Sequence, residues 1–172
     1  MKKVLIVLSI IILLLCINKK EEIIIPKNSI RFRVIANSNN IEDQVLKKEV
    51  VSSLKEEIND IETSNNIEEA RLKIKSNISS IEDKINKKLK ESNYNNQVTI
   101  KYGNNYFPQK EYKGIKYEEG NYESLVITIG EGIGDNFWCV LFPPLCNIDT
   151  NNKNIEYTTL VKEIINKYMK KA

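Results

Sequence analysis

The period of the hydrophobic pattern changes twice along this chain, and that change limits the available folds more than any single motif. Ile30-Arg31-Phe32-Arg33-Val34-Ile35-Ala36 alternates apolar and charged residues with period two, the mark of a strand buried on one face. After Asn37-Ser38-Asn39-Asn40, apolar residues recur every three or four positions at Val45, Leu46, Val50, Leu54, Ile58 and Ile61, which predicts a helix. With Asn39 as its N-cap, Glu42 falls at N3 and gives a capping-box-like start. A second stripe, Ile67, Ala70, Ile74, Ile78, Ile81, Ile85 and Leu89, predicts a long helix capped by Asn66 with Glu69 at N3. Its spacing resembles a heptad seam. Packing on the domain's own sheet or first helix is the simpler account, because a coiled coil needs more sustained heptads with complementary flanks.

From Gln97 the period returns to two. Strands are expected at residues 98–102, at Tyr106-Phe107 after a Gly103-Asn104-Asn105 turn, and at residues 122–129, where Leu125, Ile127 and Ile129 share a face. Residues 155–169 predict a closing amphipathic helix with Leu160, Ile164, Ile165 and Tyr168 inward. Helices early and strands late point to an α+β fold: a small antiparallel or mixed sheet packed with two or three helices, behind an N-terminal hydrophobic segment.

That segment is Met1-Lys2-Lys3, an apolar run over residues 4–17 broken only by Ser9, and then Asn18-Lys19-Lys20-Glu21-Glu22. A basic start before a short apolar run is the pattern of a secretory signal. As a helix the run would be about 21 Å long, against a hydrocarbon core of about 30 Å. No small-x-small cleavage site follows, and Leu13-Leu14-Leu15-Cys16 lacks the small residue that a lipoprotein signal places before its cysteine. An uncleaved anchor with snorkelling lysines therefore stands beside a cleaved signal, and membrane contact is expected through residues 4–17. The expected organisation is a signal or anchor at 1–20, a linker at 21–29, a domain at 30–149 and a C-terminal helix at 150–172.

Composition removes several classes of function. Histidine is absent, which excludes triads with an imidazole base and His-ligated zinc. The net charge of +3 comes wholly from the first twenty residues, which hold four lysines and no acid. What remains is near neutral and offers no basic stripe for nucleic acid. Ile, Asn and Lys supply 72 of 172 residues, the bias of a low-GC genome, so Asn-rich stretches carry little functional weight.

Three stretches rise above that background: residues 31–44, 102–110 and 130–146. Gly130, Gly132 and Gly134 follow a predicted strand. A nucleotide fingerprint would need a helix to open at once, whereas Asp135-Asn136-Phe137-Trp138 follows and Pro143-Pro144 bars a long helix. A turn needing positive φ, or a close backbone approach, is the better account, with no cofactor and no small-molecule substrate. Cys139 and Cys146 are the two cysteines outside the signal, with six residues and two prolines between them. A bridge between them is geometrically reasonable in an exported domain, and closing that loop is worth about 2.5 kcal/mol. Two reduced core cysteines, or a reactive thiol or metal pair, are the alternatives. Trp138, Phe142, Pro143 and Pro144 are either core or, if exposed, an apolar patch suited to a protein partner. Arg31 and Arg33 share a strand face, and Glu42 and Asp43 occupy the first turn of the next helix. Helix capping with an ion pair across the turn is one explanation, and a polar recognition surface is the other. No residue pattern is diagnostic of catalysis or of a metal.

These residues carry a resemblance. Ile30-Arg31-Phe32-Arg33-Val34-Ile35-Ala36-Asn37-Ser38, then Glu42-Asp43-Gln44, then Tyr106-Phe107-Pro108, then the run from Gly130 through Asn136, Trp138 and Phe142 to Cys146 closely resemble the stage II sporulation protein R family of endospore-forming Firmicutes. Phe137 stands where family members commonly have a second tryptophan, which keeps the aromatic ring. The resemblance implies an activating ligand and not an enzyme, made in the forespore and exported to the space between the forespore membranes. Its implied partner is the membrane-embedded aspartic protease that processes the mother-cell sigma-E precursor. On that view Arg31, Arg33, Asn37, Ser38, Glu42, Asp43, Gln44, Gly130, Gly132, Gly134, Asn136, Trp138, Phe142, Pro143 and Pro144 form the partner-binding set. An envelope-binding or structural module is the alternative from another class, and a secreted hydrolase using carboxylates alone is a third.

Overall fold

The computed structural model describes residues 23–95, 97–112, 115–146 and 154–169, without the side chains of residues 112 and 154–158. The signal or anchor expected at 1–20 lies outside the described residues. Among them no helix is long and apolar enough to cross a membrane. In chain order the elements are β1 (Ile23–Ile24), β2 (Ile30–Ile35), α1 (Ile41–Ser53), α2 (Lys55–Glu62), α3 (Ile67–Glu91), β3 (Val98–Phe107), β4 (Lys110–Tyr112), β5 (Ile115–Tyr117), β6 (Gly120–Ile129), β7 (Asn136–Phe142) and α4 (Asn154–Met169). The fold is α+β, as the change of period predicts.

Its main sheet runs β3-β6-β2-β7, with β6 parallel to β2 and the outer pairs antiparallel. A smaller sheet, β1-β5-β4, pairs β1 parallel and β4 antiparallel to β5. Strand alternation gives β2 two distinct faces. Ile30, Phe32 and Val34 join Leu125, Ile127 and Ile129 of β6 in one core with the inward stripes of α1, α2 and α3. That intramolecular burial uses the heptad-like face of α3, so its apolar stripe has its partner within the chain. Arg31 and Arg33 leave on the other face, where Phe107, Tyr122 and Val126 cluster with Ile35 and Trp138. A third cluster joins Ile23, Ile25 and Ile115 to Val140, Leu145 and Val161. Residues 23–25, inside the stretch expected as a linker, are thereby built into the fold.

Several local expectations change in the structure. The stripe from Val45 to Ile61 belongs to two helices, which meet at Leu54, where Leu54 N bonds Val51 O and Ser53 Oγ donates to the Val50 carbonyl at 2.7 Å. A side-chain hydroxyl that competes for a helix carbonyl weakens and bends the helix locally, though Ser76 makes the same kind of bond within an unbroken α3. The α1 N-cap is Asn40 and makes no side-chain cap bond; the Asn39 side chain is used elsewhere. Asn66 caps α3 as expected, accepting from Glu69 N at 2.9 Å, while the Glu69 carboxylate reaches back to Asn65 N. No turn forms at residues 103–105. The β3 and β6 strands stay paired from Val98 with Ile129 to Phe107 with Gly120, and Asn105 donates to Ser124 on β6. An unbroken ladder of backbone bonds outweighs the turn tendency of Gly-Asn-Asn, and Gly103 accommodates its φ of 150° without a side chain. In α4 the inward stripe begins at Val161, and Leu160 is exposed, which gives the regular 161, 164, 165, 168 spacing.

Candidate functional site

The turn after β2 and the glycine loop after β6 are stitched into one unit. Asn37 Nδ2 donates to Asp43 Oδ2 at 2.9 Å, while its Oδ1 accepts from Glu131 N at 3.0 Å. Backbone bonds run alongside, from Ile133 N to Asn37 O and from Gly134 N to Ala36 O. Ser38 Oγ donates to Asp43 Oδ2 at 2.6 Å and accepts from Asn40 N, so Ser38 satisfies the start of α1. Gln44 Nε2 donates to Ser38 O at 2.9 Å. Lys47 Nζ donates to Gln44 Oε1 and to Asp135 O, and Asn39 Oδ1 accepts from Asp135 N.

This clasp decides which residue types fit. A methyl group at Gly130 would overlap the Asn37 side chain, at Gly132 the Thr128 methyl, and at Gly134 the Ser38 carbonyl. Gly130 and Gly132 also hold φ of 57° and 67°, the left-handed region that favours glycine. Asp43 is buried, and the hydrogen bonds from Ser38 and then Asn37 hold its carboxyl below the usual range. Burial pushes the Lys47 ammonium down, with the Asp135 charge opposing.

The expected ion pair between Arg31 or Arg33 and Glu42 or Asp43 does not form. Asp43 is occupied by Asn37 and Ser38, Glu42 is exposed on α1, and the arginines leave on the opposite sheet face. Arg31 is 1% exposed, with its guanidinium 3.3 Å from the Tyr122 ring centroid. Nη1 donates to Glu118 O at 3.4 Å, and Nε and Nη2 have no hydrogen-bond partner among the described residues. Arg33 pairs across the strands with Trp138; its guanidinium lies 4.8 Å from the Phe107 centroid and 5.9 Å from that of Trp138. Lys110 Nζ stands 5.1 Å from the Trp138 ring, and Phe107 meets that ring edge to face at 5.1 Å. Aromatic faces stabilise cations in this geometry. Burial still pushes both guanidinium groups below their ordinary value. Asn136 ties the indole to the loop: with its amide oriented to satisfy both ends, it accepts from Trp138 Nε1 at 3.3 Å and donates to Gly134 O at 3.1 Å.

Beyond Trp138 the chain turns inward. Cys139 and Cys146 are joined by a disulfide with Cα atoms 5.0 Å apart, around a turn that contains a cis Phe142-Pro143 peptide. Leu145 N bonds Val140 O, and Cys146 N bonds Glu62 Oε1 at 2.6 Å, which ties the turn to α2. Phe142 is buried edge to face with Tyr168, Pro143 is buried and Pro144 half-buried. The apolar stretch is thus core at Phe142 and Pro143, and Trp138 is half-exposed on the opposite face.

Of the partner-binding set, Asn37, Ser38, Asp43, Gln44 and the three glycines converge in the clasp. Arg33, Asn136 and Trp138 converge on the aromatic face, with Arg31 sealed beneath it. Glu42, Phe142, Pro143 and Pro144 join neither. Sequence reasoning gave Asn39 a different task, as an N-cap, and assigned none to Lys47 or to Lys110 at the end of the 102–110 stretch, because single residues of these types are lost in a chain with 23 lysines and 22 asparagines. The position of Lys47, one turn after Asp43, was the only local signal.

A family model described as stage II sporulation protein R matches residues 26–152. A protein of Bacillus subtilis (strain 168) named stage II sporulation protein R is 35% identical over 136 residues, covering 78% of this chain and 61% of that protein. The chain therefore spans less than two thirds of that relative's length. No solved structure matches.

Proposed function

The chain belongs to the stage II sporulation protein R family, and from that premise we propose that it is an exported sporulation signal. Made in the forespore, it enters the space between the forespore membranes and activates the membrane-embedded aspartic protease that processes the mother-cell sigma-E precursor. It acts as a ligand and not as an enzyme. The observation that carries this reading is the gathering of residues from distant motifs around one half-exposed ring. Arg33 from β2 and Asn136 and Trp138 from β7 meet on the aromatic face, and Asn136 ties it to the glycine loop through Gly134 O.

The family motif then divides by task. Arg33, Asn136 and Trp138 contact the partner, with Glu42 as an outlying polar contact. Asn37, Ser38, Asp43, Gln44, Gly130, Gly132 and Gly134 hold the loop that supports them, while Arg31, Phe142, Pro143 and Pro144 secure the strands from beneath. To switch the protease, the ligand must bind its active arrangement more tightly than its inactive one.

The test is to delete the gene, induce sporulation and follow the sigma-E precursor by immunoblot. Precursor should accumulate, with processing restored by the intact gene but not by a version lacking residues 2–20. A Trp138→Ala protein that is stable and exported should also fail to restore it. Normal processing in the deletion strain would remove the signalling role and leave the envelope-binding module as the reading to pursue.

A further inference from the structure

Arg33 and Lys110 bring positive charge to the aromatic face. Neither Arg33 nor Lys110 has a carboxylate partner among the described residues, whereas Arg71, Lys73, Lys84 and Lys88 of α3 are paired with acids of α2, α3 and β6. Arg33 Nε is shielded from solvent and makes no hydrogen bond. The two cations flank one ring, since Trp138 has the Arg33 guanidinium and the Lys110 ammonium over it at 5.9 and 5.1 Å. The terminal nitrogens of Arg33 are not so shielded, and an acceptor that reaches them gains a charge-assisted bond. A guanidinium matches the two oxygens of a carboxylate, an ammonium on the same indole adds to the attraction, and the indole supplies an apolar wall.

We propose that Arg33, Lys110 and Trp138 form a receptor for an aspartate or glutamate side chain presented by a protein partner. This rests on reading the aromatic face as the docking face of the signal, and adds the chemistry that the face selects. Charge complementarity sets the occupant: two uncompensated cations accept an anion, and a neutral or basic segment would leave them unpaired. Arg31 does not take part directly, because Tyr122 and Glu118 seal it. Trp138 is the chain's sole tryptophan, so its emission reports on this receptor.

The experiment titrates the intact chain, in non-ionic detergent, with the capped peptide Gly-Glu-Gly-Glu-Gly and with its Gln counterpart. The Glu peptide should shift Trp138 emission saturably, with a response that weakens as salt rises, and the Gln peptide should not. Lys110→Gln should weaken binding about tenfold, the effect of losing one charge-assisted contact. Lys110→Glu should abolish it by putting a charge on the face that repels the peptide. Lys110 is exposed, so these variants keep the fold even where Arg33→Gln does not. Equal responses to both peptides, no response to either, unchanged affinity in the Lys110 variants, or a response only to inorganic phosphate or phosphatidylglycerol vesicles would overturn the proposal. Failure here with precursor still accumulating in the deletion strain removes the receptor alone. Peptide binding with normal processing removes the signalling role and leaves the receptor.

Discussion

Asp43 shows at the residue scale why the motif's residue types were legible and their task was not. Its neighbours Asn37, Ser38 and Gln44 are short-range donors and acceptors, equally suited to a partner's backbone or to the chain's own. Only the fold brings the glycine loop beside them and uses up their bonding capacity. Because Ser38 and Asn37 favour the charged form, the folded carboxyl titrates below its unfolded value. Its stabilisation is therefore fully present above an unfolded value of about 4 and disappears as the pH falls through the folded one. Asp43→Asn should lower the urea midpoint at neutral pH, and the difference from the wild type should shrink as both are titrated into that acid window. Removing the side chain altogether, in Asp43→Ala, should cost about 2 kcal/mol at neutral pH, since it leaves buried donors without an acceptor. Gly134→Ala forces a methyl group against the Ser38 carbonyl, and the resulting strain should cost about 1–3 kcal/mol in the same urea melts. An unchanged midpoint would mean that the loop yields freely.

Among the elements, long periodic segments were readable because their burial is periodic. The α3 stripe, the faces of β2 and the inward face of β6 follow from spacing alone. What escaped depends on contacts from far along the chain: the β3 ladder that overrides a turn signal, and β1, whose two residues find their partner only in β5. The break between α1 and α2 is local yet equally hidden, because the apolar spacing runs on through Leu54 and a serine with the same bond, Ser76, sits in unbroken helix. For the turn after β7, the spacing of Cys139 and Cys146 allowed a bridge without deciding among the thiol states, and the structure contains the bridge. Removing it through Cys139→Ala and Cys146→Ala together should cost about 2.5 kcal/mol on the loop-closure model. Denaturation with and without reductant checks this: the reduced wild type should melt with the double variant, and the oxidised protein above both.

For the whole molecule, β2 is the organising strand, because it lies inside the main sheet and separates the helical core from the aromatic face. Both of its sheet neighbours, β6 and β7, follow only after the entire helical layer and β3. A ribosome-tethered chain ending at residue 130 should accordingly be cut by protease throughout residues 30–95, and a tethered full chain should resist. Comparable resistance in both would show that the helices and β2 close without β7. The same strand order bears on how such a chain is delivered. With its central strand waiting for β6 and β7, the polypeptide stays threadable until residue 142 is available to close the main sheet.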